Sequence, residues 1–412
     1  MRASHLLVAA ATASFVALCT AAAGEPAPLL IKGQPVDWFF VYKFNAKSFP
    51  QCSGSAERSC PFGGDPVDYR VGFGQQYVVA SSSDPVLKTG DGCLGDTTED
   101  PVGSTFDQIY NGSLHYVIWN DQFYGDPRIQ GCGTSCASPW GHSKGTLAWD
   151  DQGNGVLLQV TTPSWPASGN ASHPRTDGNS LGCVTDDNVL VAQHFFSVRL
   201  TPDDVVAVAK ALANASVVTN LQDPQIVNNG GPDAISAAVA ALGAKSDSEE
   251  VLWNALSSGV SVISKPSAVH ASPWHLVSSL LGSEDLLVAS WWKHTDIPDT
   301  SAGETPDCWP NQSGWKAPGA VVNAQSGHWD TKTFSLLGIG NASGNHAKIG
   351  VSTSGPHPYT ILGDMNQEGA LSGSCAARQN GRGGVFFVVE DKKLHDSVLG
   401  LISNTQPRAR RP

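Results

Sequence analysis

Two short motifs in the sequence carry the same pair of chemically active residues. His142-x-Lys144 lies in "GHSKG", and His346-x-Lys348 opens "HAKIGVS". In a strand, residues i and i+2 project from the same face, so each motif would aim an imidazole and an ammonium group at one point. A single motif of this kind means little, but one in each half of the chain indicates a site with pseudo-twofold symmetry.

Two imidazoles and two ammonium groups around one point suit the cleavage of a phosphodiester. A neutral histidine can attack phosphorus while a protonated histidine donates to the leaving oxygen. The lysines would hold the non-bridging oxygens as negative charge builds on them. Since the histidines must be in opposite protonation states, we expect activity to favour mildly acidic pH. This chemistry requires no metal and no other cofactor, and the sequence leaves open which histidine attacks.

The segments around the motifs alternate between strand and helix patterns. Apolar and aromatic runs predict strands within 34–44, 113–122, 284–292 and 384–391, and a hairpin over 145–166. The region 201–258 is predicted to be helical, with Thr201 as N-cap and Pro202 at the first helical position. The pattern predicts an α/β protein with mixed sheets.

The start of the chain and its cysteines indicate the secretory pathway. Residues 1–23 combine a charged start with an apolar run, which is typical of a signal peptide rather than a membrane anchor. Without Cys19, the remaining cysteines form an even set that favours disulfides, although the pairing stays open: Cys52, Cys60, Cys93, Cys132, Cys136, Cys183, Cys308 and Cys375. A zinc site at Cys132 and Cys136 is disfavoured because no second ligand pair has the required spacing. Sequons that permit glycosylation stand at Asn111, Asn170, Asn214, Asn311 and Asn341. A lysosomal or extracellular location is expected.

The charge of the chain bears on its partners. A formal net charge of −12 opposes ordinary nucleic-acid binding, which depends on cations. The chain also has 12 histidines, and their protonation in an acidic compartment would bring the sum to about zero. The basic end, 401–412, is predicted to be a disordered, solvated tail.

Five pieces of the sequence together resemble the deoxyribonuclease II family. They are "QPVDWFFVYK" at 34–43, "NDQ" at 120–122, the two His-x-Lys motifs, and "GDMN" at 363–366. In order and spacing the resemblance covers about residues 34–390. It implies a phospholipase D-like fold, in which halves 24–200 and 201–400 meet at a catalytic centre. It also implies metal-independent hydrolysis of DNA to 3′-phosphate and 5′-hydroxyl ends. Because both half-sites lie in one chain, a monomer could form the complete centre, and a homodimer is possible but not required.

The resemblance also implies roles for individual residues. His142 and His346 become the catalytic pair, with Lys144, Lys348 and Asn366 as phosphate binders. Within the same turn as Asn366, Asp364 would instead orient a histidine. Asp121 is either a supporting residue or a turn former. His194 is interpreted as a core or surface histidine whose hydrogen bonds are satisfied. Trp119 and Trp291 are interpreted as core residues.

One position departs from the family pattern. Animal members carry a further histidine where this chain has Gln159, and glutamine cannot carry a proton through catalysis. If the position is supportive, activity survives, whereas if it is essential, the chain is weak or inactive. The alternatives are therefore a secreted DNA-binding or toxin-like protein without turnover, and a phosphodiesterase acting on lipid or RNA.

Overall fold

The computed structural model describes residues 24–50, 52, 62–63, 75–95, 97–175, 178–179, 181, 190–291, 299–310, 314–367 and 374–403. The predicted signal peptide, Cys60, Cys183, the Asn311 sequon and most of the basic tail lie outside these residues. None of the helices within the described ranges is long and apolar enough to span a membrane.

Most strands belong to two large sheets. The first sheet contains β1 Trp38–Lys43, β2 Tyr77–Ser81, β3 Asp84–Thr89, β4 His115–Asn120, β5 Lys144–Trp149, β6 Gly155–Val160, β7 Gln193–Leu200 and β8 Val227–Asn228. Its strand order is β3-β2-β1-β7-β6-β5-β4-β8, and the described pairings are all antiparallel.

The second sheet contains β9 Leu252–Ala255, β10 Ser261–Lys265, β11 Leu286–Ala289, β12 Val321–Asn323, β15 Ile349–Ser352, β16 Tyr359–Gly363 and β17 Gly384–Glu390. Its order is β12-β11-β15-β16-β17-β10-β9, and β11 pairs with β12 in parallel while the other described pairs are antiparallel. A separate ribbon joins β13 Ser326–Trp329 to β14 Lys332–Ser335. The mixed α/β class is confirmed, although only the second sheet is itself mixed.

The described helices are α1 Pro101–Tyr110, α2 Pro202–Asn214, α3 Asp233–Val239, α4 Pro273–Leu280 and α5 Lys392–Ile402. The predicted start of α2 is confirmed, because Thr201 caps the helix and Asp204 returns a hydrogen bond in a capping box. Helix α2 contacts strands of both sheets, and the rings of Phe196 and Phe387 approach to 5.3 Å between β7 and β17. One large apolar core therefore extends across both sheets, and a smaller second core packs around Trp274.

The uniform helical prediction for 201–258 is wrong in part. Only α2 and α3 form there, while 227–228 and 252–255 are strands. The short strand β9 pairs with β10 at a sheet edge, where Leu252 and Trp253 show the alternating exposure of a half-buried strand. Hairpin pairing of β9 with the adjacent β10, and pairing of β8 with the distant β4, override the local helical pattern.

Disulfides join Cys52 to Cys93, Cys132 to Cys136 and Cys308 to Cys375. Cys132 and Cys136 are thus partners of each other, a pairing that the sequence left open. The Asn214 sequon is buried, and its side-chain nitrogen donates to Glu250 O and to Ser264 Oγ. A glycan at Asn214 would therefore require the end of α2 to open.

Candidate active site

Both His-x-Lys motifs face one cavity of about 330 Å³. Of the residues singled out from the sequence, its lining includes Asp121, His142, Lys144, Trp291, His346, Lys348 and Asn366. Asp364 and Gln159 are buried and connect to His142 and its neighbour Ser143. The structure thus brings together residues that are more than 200 positions apart.

The two histidines lie just ahead of their strands, not within them. Strand β5 begins at Lys144 and β15 at Ile349, so the expectation of two strand-borne pairs is wrong for the histidines and for Lys348. The reason is that each histidine N–H bonds to the opposite sheet's chain. His142 N–H donates to Gly383 O at 2.8 Å, and His346 N–H donates to Ala192 O at 2.8 Å.

These two bonds are reciprocal. Gly383 immediately precedes β17, the neighbour of β16 in the second sheet, and Ala192 immediately precedes β7, the neighbour of β6 in the first. We call these two carbonyl groups the clamp carbonyls. Each sheet therefore holds the histidine that belongs to the other sheet.

Lys144 is held by a buried ion network. Its Nζ lies 2.6 Å from Asp121 Oδ1, and Arg382 Nη2 lies 2.7 Å from Asp121 Oδ2. Burial alone would raise the pKa of Asp121, but the charges of Lys144 and Arg382 outweigh burial and hold that pKa well below its usual range. Asp121 therefore stays ionised and fixes the ammonium group at the cavity wall.

Arg382 also ties down the loop before the first motif. Its guanidinium donates to the carbonyl oxygens of Cys136, Trp140 and Gly141 at 2.8–3.0 Å. Arg382 lies in the Gly-rich stretch 381–384, and this local pattern does not reveal that it joins the second half of the chain to Asp121.

Lys348 is less well compensated than Lys144. Its Nζ donates to His346 O, and burial together with the charge of Lys144 lowers its pKa to about 7. An anion bound between Lys144 and Lys348 would reverse this shift, because it would favour both charged ammonium groups. The charges of the cavity wall therefore favour the binding of an anion.

Burial and nearby positive charges favour the neutral form of both histidines. Burial lowers the pKa of His142 and His346 well below the usual value, and the positive charges of Lys144 and Lys348 lower both further. His142 Nδ1 lies 2.7 Å from Asp364 O, so Nδ1 carries the proton and Nε2 keeps its lone pair. The imidazole of His142 is thus presented in one tautomer.

His346 is held more loosely than His142. Its Nδ1 lies 3.5 Å from Gln193 Nε2, and the Trp291 ring stands nearly perpendicular to the imidazole at 4.4 Å between centroids. Within the described part of the chain, Nε2 of His346 has no hydrogen-bond partner. Trp291, which the sequence suggested as core, therefore supports a histidine at the cavity wall.

Asp364 is the centre of the network beneath the first motif. Ser143 Oγ donates to its Oδ2 at 2.6 Å, Gln159 Nε2 donates to its Oδ1 at 2.9 Å, and Val385 N–H donates to Oδ2 at 3.3 Å. Trp119 Nε1 donates to Ser143 Oγ at 2.8 Å. Burial raises the pKa of Asp364 to about 7 despite these donors.

His194 extends this network to the second motif. Its Nδ1 accepts from Lys348 N–H at 3.1 Å, and its Nε2 lies 3.5 Å from Gln159 Oε1. Because Nδ1 accepts a hydrogen bond, the ring hydrogen of His194 lies on Nε2 and faces Gln159 Oε1. Gln159 in turn donates to Asp364, so hydrogen bonds are donated in one direction from His194 to Asp364. His194 is buried, which agrees with its interpretation as a core histidine. Its contacts also link both motifs, which no local sequence signal indicated.

Asn366 lines the cavity beside the second motif. Its backbone N–H donates to Gln379 Oε1 at 3.0 Å, and its buried Oδ1 has no partner among the described residues. A buried amide oxygen without a partner costs free energy unless a ligand or water satisfies it. Over the described ranges, no group of three His, Cys, Asp or Glu side chains is arranged to hold a metal ion.

Comparison with known proteins gives a family. The model of the Deoxyribonuclease II family matches residues 28–408. Plancitoxin-1 of Acanthaster planci is 32% identical over 163 residues, and Deoxyribonuclease-2-alpha of Sus scrofa is 29% identical over 160 residues. Each match covers 37% of this chain, and the chain spans about two fifths of each relative, 39% and 38% respectively.

A longer alignment comes from Cell-death-related nuclease 7 of Caenorhabditis elegans, which is 22% identical over 390 residues. It covers 92% of this chain and 86% of the relative. The family match extends from β1 through α5 and includes both motifs and the residues beneath them. The chain belongs to the deoxyribonuclease II family.

Proposed function

We propose that the protein is an acid endodeoxyribonuclease that hydrolyses DNA without a divalent metal ion. The observation that carries this proposal is the meeting of both His-x-Lys motifs at one cavity, where His142 and His346 flank a place prepared for an anion. The names of the relatives Deoxyribonuclease-2-alpha and Cell-death-related nuclease 7 point the same way.

In the proposed reaction, Lys144 and Lys348 bind the non-bridging oxygens of one DNA phosphate. Nε2 of one histidine attacks phosphorus, so that a P–N bond forms and the P–O5′ bond breaks. The other histidine gives its proton to O5′, which leaves as the 5′-hydroxyl. That histidine then takes a proton from water, the oxygen of this water attacks phosphorus, and the P–N bond breaks to release the 3′-phosphate.

The acid preference follows from the electrostatics of the cavity. Burial and two lysines depress the pKa of both histidines, which favours their neutral form near neutral pH. A bound phosphate and an acidic medium both favour the protonated form of one of them. The required pair of one neutral and one charged imidazole therefore forms at lower pH than the ordinary histidine pKa would give.

Gln159 has a supporting role in this proposal. Its amide holds Asp364 and faces His194, and neither contact needs a proton to move through residue 159. The departure from the histidine of animal members is therefore compatible with turnover. The histidines, Lys144 and Lys348 give the cavity a polar and cationic wall, which suits the phosphodiester of DNA.

The finer architecture and location are part of the same proposal. We propose a phospholipase D-like, pseudo-twofold arrangement of halves 24–200 and 201–400, which the reciprocal clamp carbonyls support. Since both motifs of one chain line one cavity, a monomer can form the centre and a homodimer is not required. The signal-like segment 1–23 and the disulfides support a lysosomal or extracellular location.

The test is plasmid cleavage by the purified mature protein in EDTA from about pH 4 to pH 8. We expect acid-favoured nicking with 3′-phosphate ends, lost in His142→Ala and in His346→Ala. The exposed His328 provides a matched control, and His328→Ala should cleave like the wild type. No cleavage at any pH, with DNA still retained in a gel-shift assay, would replace this proposal with an inactive DNA-binding protein.

A further inference from the structure

Two fully buried lysines take no part in the proposed reaction. Lys43 is the last residue of β1 and Lys265 is the last residue of β10, and both side chains have 0% exposure. Neither lysine lines the cavity. Buried lysines are rare and costly unless their charge is compensated, so their presence calls for a specific reason.

The two lysines occupy equivalent places in the two sheets. Strand β1 pairs antiparallel with β7 so that Lys43 lies opposite Gln193, the first residue of that strand. Strand β10 pairs antiparallel with β17 so that Lys265 lies opposite Gly384, also the first residue of its strand. Each lysine is therefore next to the point where the chain enters the neighbouring strand.

Their ammonium groups bind the chain at equivalent carbonyls. Lys43 Nζ donates to Val191 O at 2.7 Å, and Lys265 Nζ donates to Arg382 O at 2.7 Å. Both ammonium groups also lie 3.3 Å from the carbonyl oxygen of the next residue in sequence, Phe44 or Pro266. Lys265 gains a further carbonyl oxygen, that of Asn380, at 2.9 Å.

The bound residues immediately precede the clamp carbonyls. Val191 is followed by Ala192, whose oxygen accepts the His346 N–H, and Arg382 is followed by Gly383, whose oxygen accepts the His142 N–H. One peptide unit therefore separates each buried ammonium from the group that orients a histidine. The same order of contacts, from lysine to carbonyl to clamp to histidine, occurs in both sheets.

We propose that Lys43 and Lys265 are positioning residues, Lys43 for His346 and Lys265 for His142. This inference rests on the proposed nuclease function. A cation fixes the orientation of the carbonyls it binds more strongly than a neutral donor does, because charge-assisted hydrogen bonds are about twice as strong. The chain therefore carries a charge beneath each clamp, where an apolar side chain would fill the core without that penalty.

A buried charge of this kind suits an acidic medium. Burial lowers the pKa of Lys265 to about 7. Below that pH the Lys265 side chain is protonated, and its three hydrogens can be donated to the carbonyl oxygens of Pro266, Asn380 and Arg382. In the proposed working range the clamp on His142 is thus held by a full set of donors.

The test uses Lys43→Met and Lys265→Met in the full mature protein, with ¹³Cε1-labelled histidine followed by NMR. His142→Gln and His346→Gln provide the resonance assignments. We expect Lys265→Met to shift the His142 resonance and its titration while His346 is unchanged, and Lys43→Met to do the reverse. In DNA cleavage, kcat should fall about tenfold or more with KM within about twofold, because displaced catalytic groups lose rate before binding.

Controls keep this test separate from general destabilisation. Lys43→Gln and Lys265→Gln retain an amide donor, so their kcat should lie between those of the Met variants and the wild type. Lys88 is exposed, and Lys88→Met should leave both resonances and kcat unchanged.

Several outcomes would overturn the inference while the wild type cleaves DNA. They are kcat within twofold of wild type in both Met variants, equal shifts of both histidines in each variant, or failure of both the Met and Gln variants of a lysine to fold. A wild type that cleaves nothing would instead overturn the proposed function, and the crossed NMR pattern would still report on the clamps.

Discussion

Replacing Gln159 with leucine tests the network beneath the candidate catalytic pair. Leucine keeps most of the volume of this fully buried side chain but removes the amide. Asp364 Oδ1 then loses its donor at 2.9 Å, and His194 Nε2 loses the oxygen at 3.5 Å. Because the backbone oxygen of Asp364 holds His142 Nδ1 at 2.7 Å, a shift of residue 364 passes directly to the imidazole.

The size of the effect follows from the hydrogen bond to Asp364. Leaving a buried polar atom without its partner costs about 1–3 kcal/mol. If the whole of this free-energy cost raises the energy of the transition state, kcat falls about 5- to 150-fold. KM for DNA should change little, because Lys144 and Lys348, the proposed phosphate binders, keep their contacts with Asp121 Oδ1 and His346 O. The unfolding free energy should fall by a similar 1–3 kcal/mol.

The assay is steady-state plasmid nicking in EDTA at several pH values, with urea unfolding of the same preparations. Gln159→His restores a donor to Asp364 and should keep kcat within about threefold of the wild type, since the lost hydrogen bond is replaced. Gln222 is exposed, and Gln222→Leu serves as the matched surface control. If Gln159→Leu kept the wild-type kcat and stability at every pH, Asp364 would not depend on its amide partner and the reasoning would be refuted.

Two further predictions concern titration. Asp364 has a folded-state pKa of about 7 and an ordinary one of about 4, so its contribution to stability is complete below pH 4 and is lost as pH rises through 7. As pH rises from 4 to 7, the free energy of unfolding of Asp364→Asn, measured in urea, should therefore increase relative to that of the wild type by up to about 4 kcal/mol. If the free energies of unfolding of the two proteins changed equally with pH, the raised pKa of the buried carboxyl would be contradicted. Lys348→Met removes a positive charge that lowers the pKa of both histidines, so the residual nicking activity should have its optimum at higher pH than the wild type. An optimum that stays in place or moves to lower pH would show that Lys348 does not set it.

The elements around the motifs were predictable because their patterns are local. Two apolar runs around a Gly/Asn turn predict the β5–β6 hairpin, and Thr201-Pro202 predicts the start of α2. The His-x-Lys spacing also indicated the residues that now line the cavity. These features depend on neighbours within a few positions, and sequence patterns report such neighbours well.

The support beneath the site was not predictable, because it depends on partners far away in the chain. His194 bonds to the Lys348 N–H 154 positions later, and Gln159 bonds to Asp364 205 positions later. In sequence, His194 stands between Gln193 and two phenylalanines, a setting that is equally typical of a core histidine. Lys43 and Lys265 likewise read as ordinary strand ends until the register of β1 with β7 and of β10 with β17 is known.

The reciprocal clamp carbonyls also set an order in time during synthesis. A ribosome that has made the first motif has produced His142 and Lys144, but the oxygen that orients His142 belongs to Gly383 and does not yet exist. The nascent chain therefore carries an unaligned imidazole until nearly all of the protein has emerged. A fragment released before Gly383 would lack the carbonyl group that holds His142, so it could not complete the proposed catalytic pair.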